Sequence, residues 1–233
     1  MHTADISKMK SLRRMTLITL FFFCSWWVVA CSAPIASPGS TSAAVDKPLA
    51  DPTDPAKLAS GWAWYQGESQ ESAFKLDGGA LTITAGAKTE QWAKVNTAPY
   101  VAYDAEGDFA AQTKLDFDTG RVSYSAGIGI MSADDPTQWV RLAPRGQSAL
   151  GLIRNGGREI TATTDFPLTA VYLKVQRRGG VISAYYSKDG AAWQPVSESY
   201  EYNLSPKVRL YLVALSLSKG ISARFSEVKI TPL

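Results

Sequence analysis

The feature that most constrains this chain is a rhythm of short runs, alternating in polarity or rich in β-branched and aromatic residues, each closed by Gly, Asp, Asn or Pro. A strand sends successive side chains to opposite faces, so a period of two marks a strand with one face buried. The clearest runs are residues 80–84, 109–117, 123–131, 138–143, 150–153, 170–176, 181–186, 207–217 and 224–230. Between them, Asp77-Gly78, Asn155-Gly156-Gly157, Gly179-Gly180 and Asp189-Gly190 supply the positive φ angles that tight hairpins demand. With helical signals nearly absent, the pattern predicts an all-β chain, sequence neighbours paired antiparallel in a two-sheet sandwich. The run 208–217 is apolar on both faces over much of its length and is expected to be covered on both sides.

The N-terminal part reads differently. Lys10, Arg13 and Arg14 flank an apolar stretch, 17–29, that is short for the ~20 residues of a bilayer crossing, and Ala30 and Cys31 follow it. Val28-Val29-Ala30-Cys31 resembles the lipobox of a bacterial lipoprotein signal. The resemblance implies that residues 1–31 are a signal peptide and that Cys31 is the acylated mature N-terminus. An uncleaved membrane helix and an ordinary secretory peptide are the alternatives. Ser32 is not the aspartate that in such signals favours inner-membrane retention, so the expected location is the cell envelope, lipid-anchored at the outer membrane. Residues 32–58, rich in Ala, Ser, Thr, Pro and Asp without apolar periodicity, are expected to be a flexible tether. Residues 59–233 are left as a single sandwich domain of ordinary length.

Composition then removes several function classes. Residues 1–31 hold Lys8, Lys10, Arg13 and Arg14 against Asp5, so the mature chain would carry equal numbers of basic and acidic side chains. No electrostatic footprint for nucleic acid remains. Both cysteines, Cys24 and Cys31, lie in the signal, and His2 is the only histidine. A mature chain of this kind has no disulfide, no cysteine or histidine metal site and no Ser-His-Asp triad.

Alternation also assigns faces. In 123–131, Tyr124, Ala126, Ile128 and Ile130 point one way, and Ser125, Gly127 and Gly129 the other. In 138–143, Val140 and Leu142 oppose Trp139 and Arg141. With the aliphatic residues in the core, the outer face of this hairpin carries two glycines beside a tryptophan and an arginine, and glycine within a strand marks a close approach by a ligand or another backbone. By the same test Val171, Leu173 and Val175 face inward and Tyr172, Lys174 and Gln176 outward. Thr113, Leu115 and Phe117 likewise oppose Gln112, Lys114 and Asp116.

The order of several motifs resembles the DUF1349 family: Gly61-Trp62, the run 78–83 (GGALTI), Trp92 before Ala98-Pro99-Tyr100, Gly107-Asp108-Phe109, Ala126-Gly127-Ile128, Asp134-Asp135 before the run 138–142 (QWVRL), and the run 187–193 (SKDGAAW). These are concanavalin A-like lectin/glucanase domains, similar also to the C-terminal sandwich modules of some β-xylosidases. The resemblance covers most of 59–233. It implies a two-sheet antiparallel jelly roll with one sheet curved into a groove, and an association with carbohydrate; it does not imply catalysis.

Sugars stack on aromatic rings while polar neighbours bond their hydroxyls. The expected carbohydrate-binding surface is therefore Trp139 with Arg141, Gly127 and Gly129, closed at one end by Trp92 and lined by Lys174, Gln176 and Asp116. The competing reading packs Trp139 beneath a loop or against the other sheet. Trp62 and Trp64 read as core or edge packing and Trp193 as buried, while Arg177 and Arg178 form a basic hairpin tip. Asp134-Asp135 could offer oxygens to Ca²⁺, but no further acids follow at ligand spacing, and no cofactor or metal is expected.

The chain lacks the Glu-x-Asp-x-x-Glu run of glucanases of this fold; Asp116 with Asp118 and Glu106 with Asp108 are the nearest pairs. The leading expectation is thus a membrane-anchored, non-catalytic carbohydrate-binding module. An envelope module that binds a protein partner is the first alternative. A glycan-active hydrolase or lyase is the second, with lyase chemistry drawing on Tyr172, Lys174 and Arg141.

Overall fold

The computed structural model describes residues 47–117, 124–155, 157 and 159–233. The signal with Cys31, the tether as far as residue 46, Asp118 and Gly156 lie outside the described residues. Strands are numbered in chain order. One seven-stranded sheet runs β1 (Trp62–Tyr65), β6 (Tyr100–Glu106), β15 (Lys207–Ser216), β8 (Tyr124–Ser132), β9 (Trp139–Pro144), β10 (Ala149–Arg154), β11 (Glu159–Thr163). The second runs β14 (Gln194–Glu201), β13 (Val181–Ser187), β12 (Ala170–Arg178), β7 (Phe109–Phe117), β16 (Ile221–Pro232), β3 (Ala80–Ala85), β2 (Ala73–Asp77). A separate two-stranded ribbon joins β4 (Gln91–Trp92) to β5 (Val95–Asn96). Pairing is antiparallel throughout, so the fold is an all-β, two-sheet sandwich.

Alternation places the core. In β7, Phe109, Ala111, Thr113, Leu115 and Phe117 are buried, and each residue between them is half-exposed. Strand β12 repeats this with Val171, Leu173 and Val175 inward. Against them the first sheet sends Ile128, Ile130, Val140, Leu142, Leu210 and Leu212, all fully buried. Each such side chain contributes about 1.5–3 kcal/mol over its exposed state. Asp77 pairs with Ala80, and Gly78 and Gly79, at φ of 58° and 77°, form the two-residue turn between β2 and β3. Left-handed values at both central positions match the right-handed strand twist.

Two expectations change here. Residues 47–58, read as the end of the tether, are part of the sandwich: Leu49 is buried in the core, Ala50 bridges Leu58, and Ala59 N donates to Leu49 O at 2.9 Å. One leucine is enough to dock a segment with no periodicity of its own. Arg177, read as a solvated hairpin tip, is buried and donates to Pro206 O at 2.9 Å, Ser205 O at 2.9 Å and Gly179 O at 3.3 Å. Its parity is that of Val175, so its stem enters the sandwich and its head fastens the chain before β15.

Candidate functional site

Every residue of β9 is buried, although only Val140 and Leu142 belong to the main core. Trp139 and Arg141 do point away from that core, as alternation predicts. They are nevertheless closed off, Trp139 completely and Arg141 to 3 % exposure. Around Trp139 a second apolar cluster gathers Ala98, Tyr100, Ala102, Met131, Ile153, Tyr211, Val213 and Leu215 on the outer face of the first sheet.

The cover comes from the segment before β6. Thr89 pairs with Ser216 at the end of β15, its N donating to Ser216 O at 2.8 Å while Ser216 N donates to Thr89 Oγ1 at 3.0 Å. From there the β4–β5 hairpin carries Gln91 inward. Gln91 Oε1 accepts from Arg141 Nη1 at 2.9 Å and from the Tyr211 hydroxyl at 3.1 Å. The indole of Trp92 lies close to Gly157 beyond β10, and Trp92 remains 48 % exposed.

The expectation of an open Trp139 platform is corrected on this point: the competing reading, a tryptophan beneath a loop, describes its surroundings. The two glycines are filled as well. A Cβ on Gly129 would stand 2.5 Å from the Tyr211 ring and from Val140 O, and one on Gly127 would stand 2.1 Å from Leu142 O. What approaches these glycines closely is a tyrosine ring and the neighbouring strand.

Burial sets the electrostatics of this face. Desolvation lowers the Arg141 pKa from its ordinary value, with Arg145 acting in the same direction. Desolvation also raises the Tyr211 phenol, so it is a neutral hydrogen-bond donor at any ordinary pH. Glu159, opposite Ile153 on β11, is held by Arg145 Nε at 2.9 Å.

Lys174, Gln176 and Asp116 lie on the other side of the molecule. They belong to β12 and β7 and face outward from the second sheet. The expected site is therefore divided between opposite outer faces, and so is the lyase grouping of Tyr172, Lys174 and Arg141. On the second outer face the register aligns Tyr185, Lys174, Gln112 and Lys229 across four strands, with Ser187, Tyr172, Lys114 and Ser226 in the next row. Lys174 Nζ sits 4.0 Å from the centre of the Trp193 ring and 4.9 Å from that of Tyr185. Partial desolvation of its ammonium lowers the Lys174 pKa.

Trp193, read from sequence as buried, is half-exposed here. Its position follows from the preceding turn: Asp189 Oδ1 accepts from Ala191 N at 2.8 Å, Ala192 N at 2.9 Å and Ser187 Oγ at 2.9 Å. Gly190, at φ 77°, lets this turn close over the Tyr172 ring, 2.9 Å from where a Cβ would stand. A bulge in β16 puts Glu227 at φ 52°, and Glu227 Oε1 accepts from the Tyr172 hydroxyl at 2.9 Å. That bond holds the Tyr172 phenol above its ordinary pKa. Tyr172, Tyr185 and Trp193 thus frame Lys174, with Gln112, Gln176, Lys114 and Asp116 around them. Trp193 and Tyr185 escaped the sequence reading, although the parity of 181–186 already put Tyr185 outward.

The acidic candidates are otherwise engaged. Asp135 accepts from Thr137 N at 2.9 Å, Thr137 Oγ1 at 2.6 Å and Gln138 Nε2 at 3.1 Å, which lowers its pKa. No group of three metal-ligating side chains lies together among the described residues. Asp108 accepts from Gly179 N at 2.7 Å, Glu106 faces Lys207 at 3.7 Å, and Asp116 lies 3.9 Å from Lys114.

Known structures share this architecture. A functionally unknown protein from Saccharomyces cerevisiae matches 75 % of this chain over 97 % of its own, at 17 % identity and a TM-score of 0.64. A xylan β-1,4-xylosidase from Bacillus halodurans C-125 matches 79 % of the chain at 20 % identity and a TM-score of 0.61, and a GH43 protein from Bacillus licheniformis matches 81 % at 15 % and 0.61. This chain spans only 39 % of the length of either of those two. At such identities the likeness is one of fold. No curated protein matches the chain. Residues 67–233 match the family described as "Protein of unknown function (DUF1349)", and over that span, more than half of its length, the chain belongs to this family.

Proposed function

We propose that this protein is a non-catalytic carbohydrate-binding module that holds a glycan on the outer face of its second sheet. The observation that carries the reading is the half-exposed frame of Trp193, Tyr185 and Tyr172 around Lys174. Ring faces accept the C–H side of a pyranose, and Gln112, Gln176, Lys114 and Asp116 stand at adjacent register positions to bond its hydroxyls. The same fold within a xylan β-1,4-xylosidase and a GH43 protein supports a carbohydrate setting. Glycoside hydrolysis needs a carboxyl pair about 5–9.5 Å apart with room for substrate between. On this face Asp116 lies beside Lys114 and Glu227 receives the Tyr172 hydroxyl, an arrangement suited to holding a ligand rather than cleaving it. Acylation of Cys31 would tie the module to the bacterial outer membrane.

The test is binding of the full-length chain to a panel of neutral oligosaccharides, xylo-oligosaccharides included. Trp193→Ala is expected to weaken binding at least tenfold. Equal binding by both proteins, or reducing ends released from any glycan in the panel, overturns the proposal. Cys31→Ser is expected to move the protein from the membrane fraction to the soluble one.

A further inference from the structure

The described residues bury two guanidinium groups, and the chain treats them differently. Arg177 has three backbone carbonyls as acceptors. Arg141 is more deeply buried and has one, the Gln91 side-chain carbonyl, while its Nε has no partner. The nearby carboxylate, Glu159, is occupied by Arg145. Two further buried donors share this face without an acceptor, Gln91 Nε2 and Trp139 Nε1.

A buried guanidinium whose nearest carboxylate is shared with Arg145, and whose Nε and two neighbouring donors have no acceptor, costs free energy that the folded chain does not recover by itself. An incoming acceptor with negative charge would answer both deficits. We propose that the covered outer face of the first sheet is a second binding site, separate from the aromatic frame on the other sheet, and that it takes the carboxylate of a hexuronate sugar on Arg141 once the β4–β5 hairpin lifts.

The hairpin is built as a replaceable cover. Its strands are two residues each, its base is fixed by Thr97 N donating to Glu90 O at 2.8 Å and Glu90 N to Thr97 Oγ1 at 2.9 Å, and the Thr89–Ser216 bridge ties that base to β15. Beyond the base, Gln91 bonds the two groups a carboxylate would bond, Arg141 Nη1 and the Tyr211 hydroxyl. The amide oxygen stands where the ligand oxygen would stand. Lys88, at φ 59° just before the base, is a non-glycine residue in the left-handed region, where the hairpin joins the rest of the chain. Beneath the cover, the aromatic bed of Trp139 and Tyr211 suits the flat side of a sugar ring more than a peptide chain.

The probes are sodium D-glucuronate and D-glucose, which share a ring and differ at C6, titrated into the full-length chain by calorimetry. Glucuronate is expected to bind at least tenfold more tightly than glucose, and Gln91→Ala, which removes the competing amide, to tighten it several-fold. Arg141→Met is expected to abolish glucuronate binding without lowering the melting temperature, because a thioether needs no counter-charge. Arg141→Lys, which keeps the cation, is expected to retain part of the binding. Absent or equal binding of the two sugars, unchanged binding by Arg141→Met, or a melting temperature lowered by Arg141→Met but not by Arg141→Lys overturns the inference. Glucuronate binding in a protein that holds no neutral oligosaccharide would leave this site standing and remove the one proposed above.

Discussion

The two outer faces of the sandwich use similar residues to opposite ends. Each brings tryptophan, tyrosine and a cation together: Trp139 and Arg141 on β9 with Tyr211 on β15, and Lys174 on β12 and Tyr185 on β13 with Trp193 just before β14. On the first sheet they lie under a hairpin from elsewhere in the chain, and Trp139, Arg141 and Tyr211 have become an interior. On the second sheet the turn through Gly190 closes over the Tyr172 ring but leaves Trp193, Tyr185 and Lys174 half in solvent. The difference lies in the cover rather than in the strands. Aromatic residues turned away from a core can thus build a second core or a binding surface, and which of the two depends on a segment outside the sheet.

If the covered face is a core in energetic terms, it should respond to substitution as one. Trp139→Ala is expected to destabilise the protein by about 3–5 kcal/mol, read by urea unfolding, because it leaves a ring-sized void that the paired backbone of β8, β9 and β10 cannot close. A loss of less than half of that would mean that the hairpin collapses into the space and that the face is more loosely packed than its burial suggests.

Gly129→Ala examines the same face from its floor. The new Cβ meets the Tyr211 ring and Val140 O, each at 2.5 Å, and the carbonyl cannot retreat without breaking β9 from β8. The expected cost is about 1–3 kcal/mol. The displaced ring should also loosen the Tyr211–Gln91 bond, which faster amide hydrogen exchange in the hairpin would reveal. Trp193→Ala on the open face should change stability by no more than about 1 kcal/mol, since half of the ring is already solvated. A larger loss would make Trp193 a packing residue and end the symmetry of the comparison.

The strands and their parity were legible because both are local. Two residues of sequence decide whether Lys114 or Leu115 enters the core, and β7 and β12 follow that rule along their length. Direction was legible for Trp139 and Arg141 too. Exposure was not, since the group that caps Arg141 is Gln91, 50 residues away in a segment of mixed polarity with no period to reveal it. Nor does parity say which sheet a strand joins. Outward on β9 and outward on β12 are opposite directions, and a surface drawn from both, Trp139 with Lys174, Gln176 and Asp116, cannot exist on one side of a sandwich. The glycines at 127 and 129 did mark a close approach. The approaching groups were Ala143 with the Leu142 carbonyl, and a tyrosine 82 residues beyond Gly129 by number.

The smallest expected effect is also the most local, and it concerns how the open face keeps its tryptophan. Asp189 accepts two backbone N–H bonds and the Ser187 hydroxyl, and these hold its carboxyl at about 2, against 3.8 for the unperturbed group. A carboxyl with a depressed pKa in the folded state adds stability that is complete above the unfolded value and fades as pH falls toward the folded one. The turn from Ser187 to Ala192 should therefore be intact above pH 3.8 and loosen between there and about pH 2. In NMR spectra the Ala191 and Ala192 amide signals should move with that midpoint, together with the indole signal of Trp193, while the Trp139 indole, under its hairpin and far from this carboxyl in sequence, stays where it is. Asp189→Asn keeps an acceptor but cannot titrate, so it should remove the acid transition and leave most of the turn. Coincident movement of both indoles would mean that acid acts on the whole sandwich, and that the two faces are not independent after all.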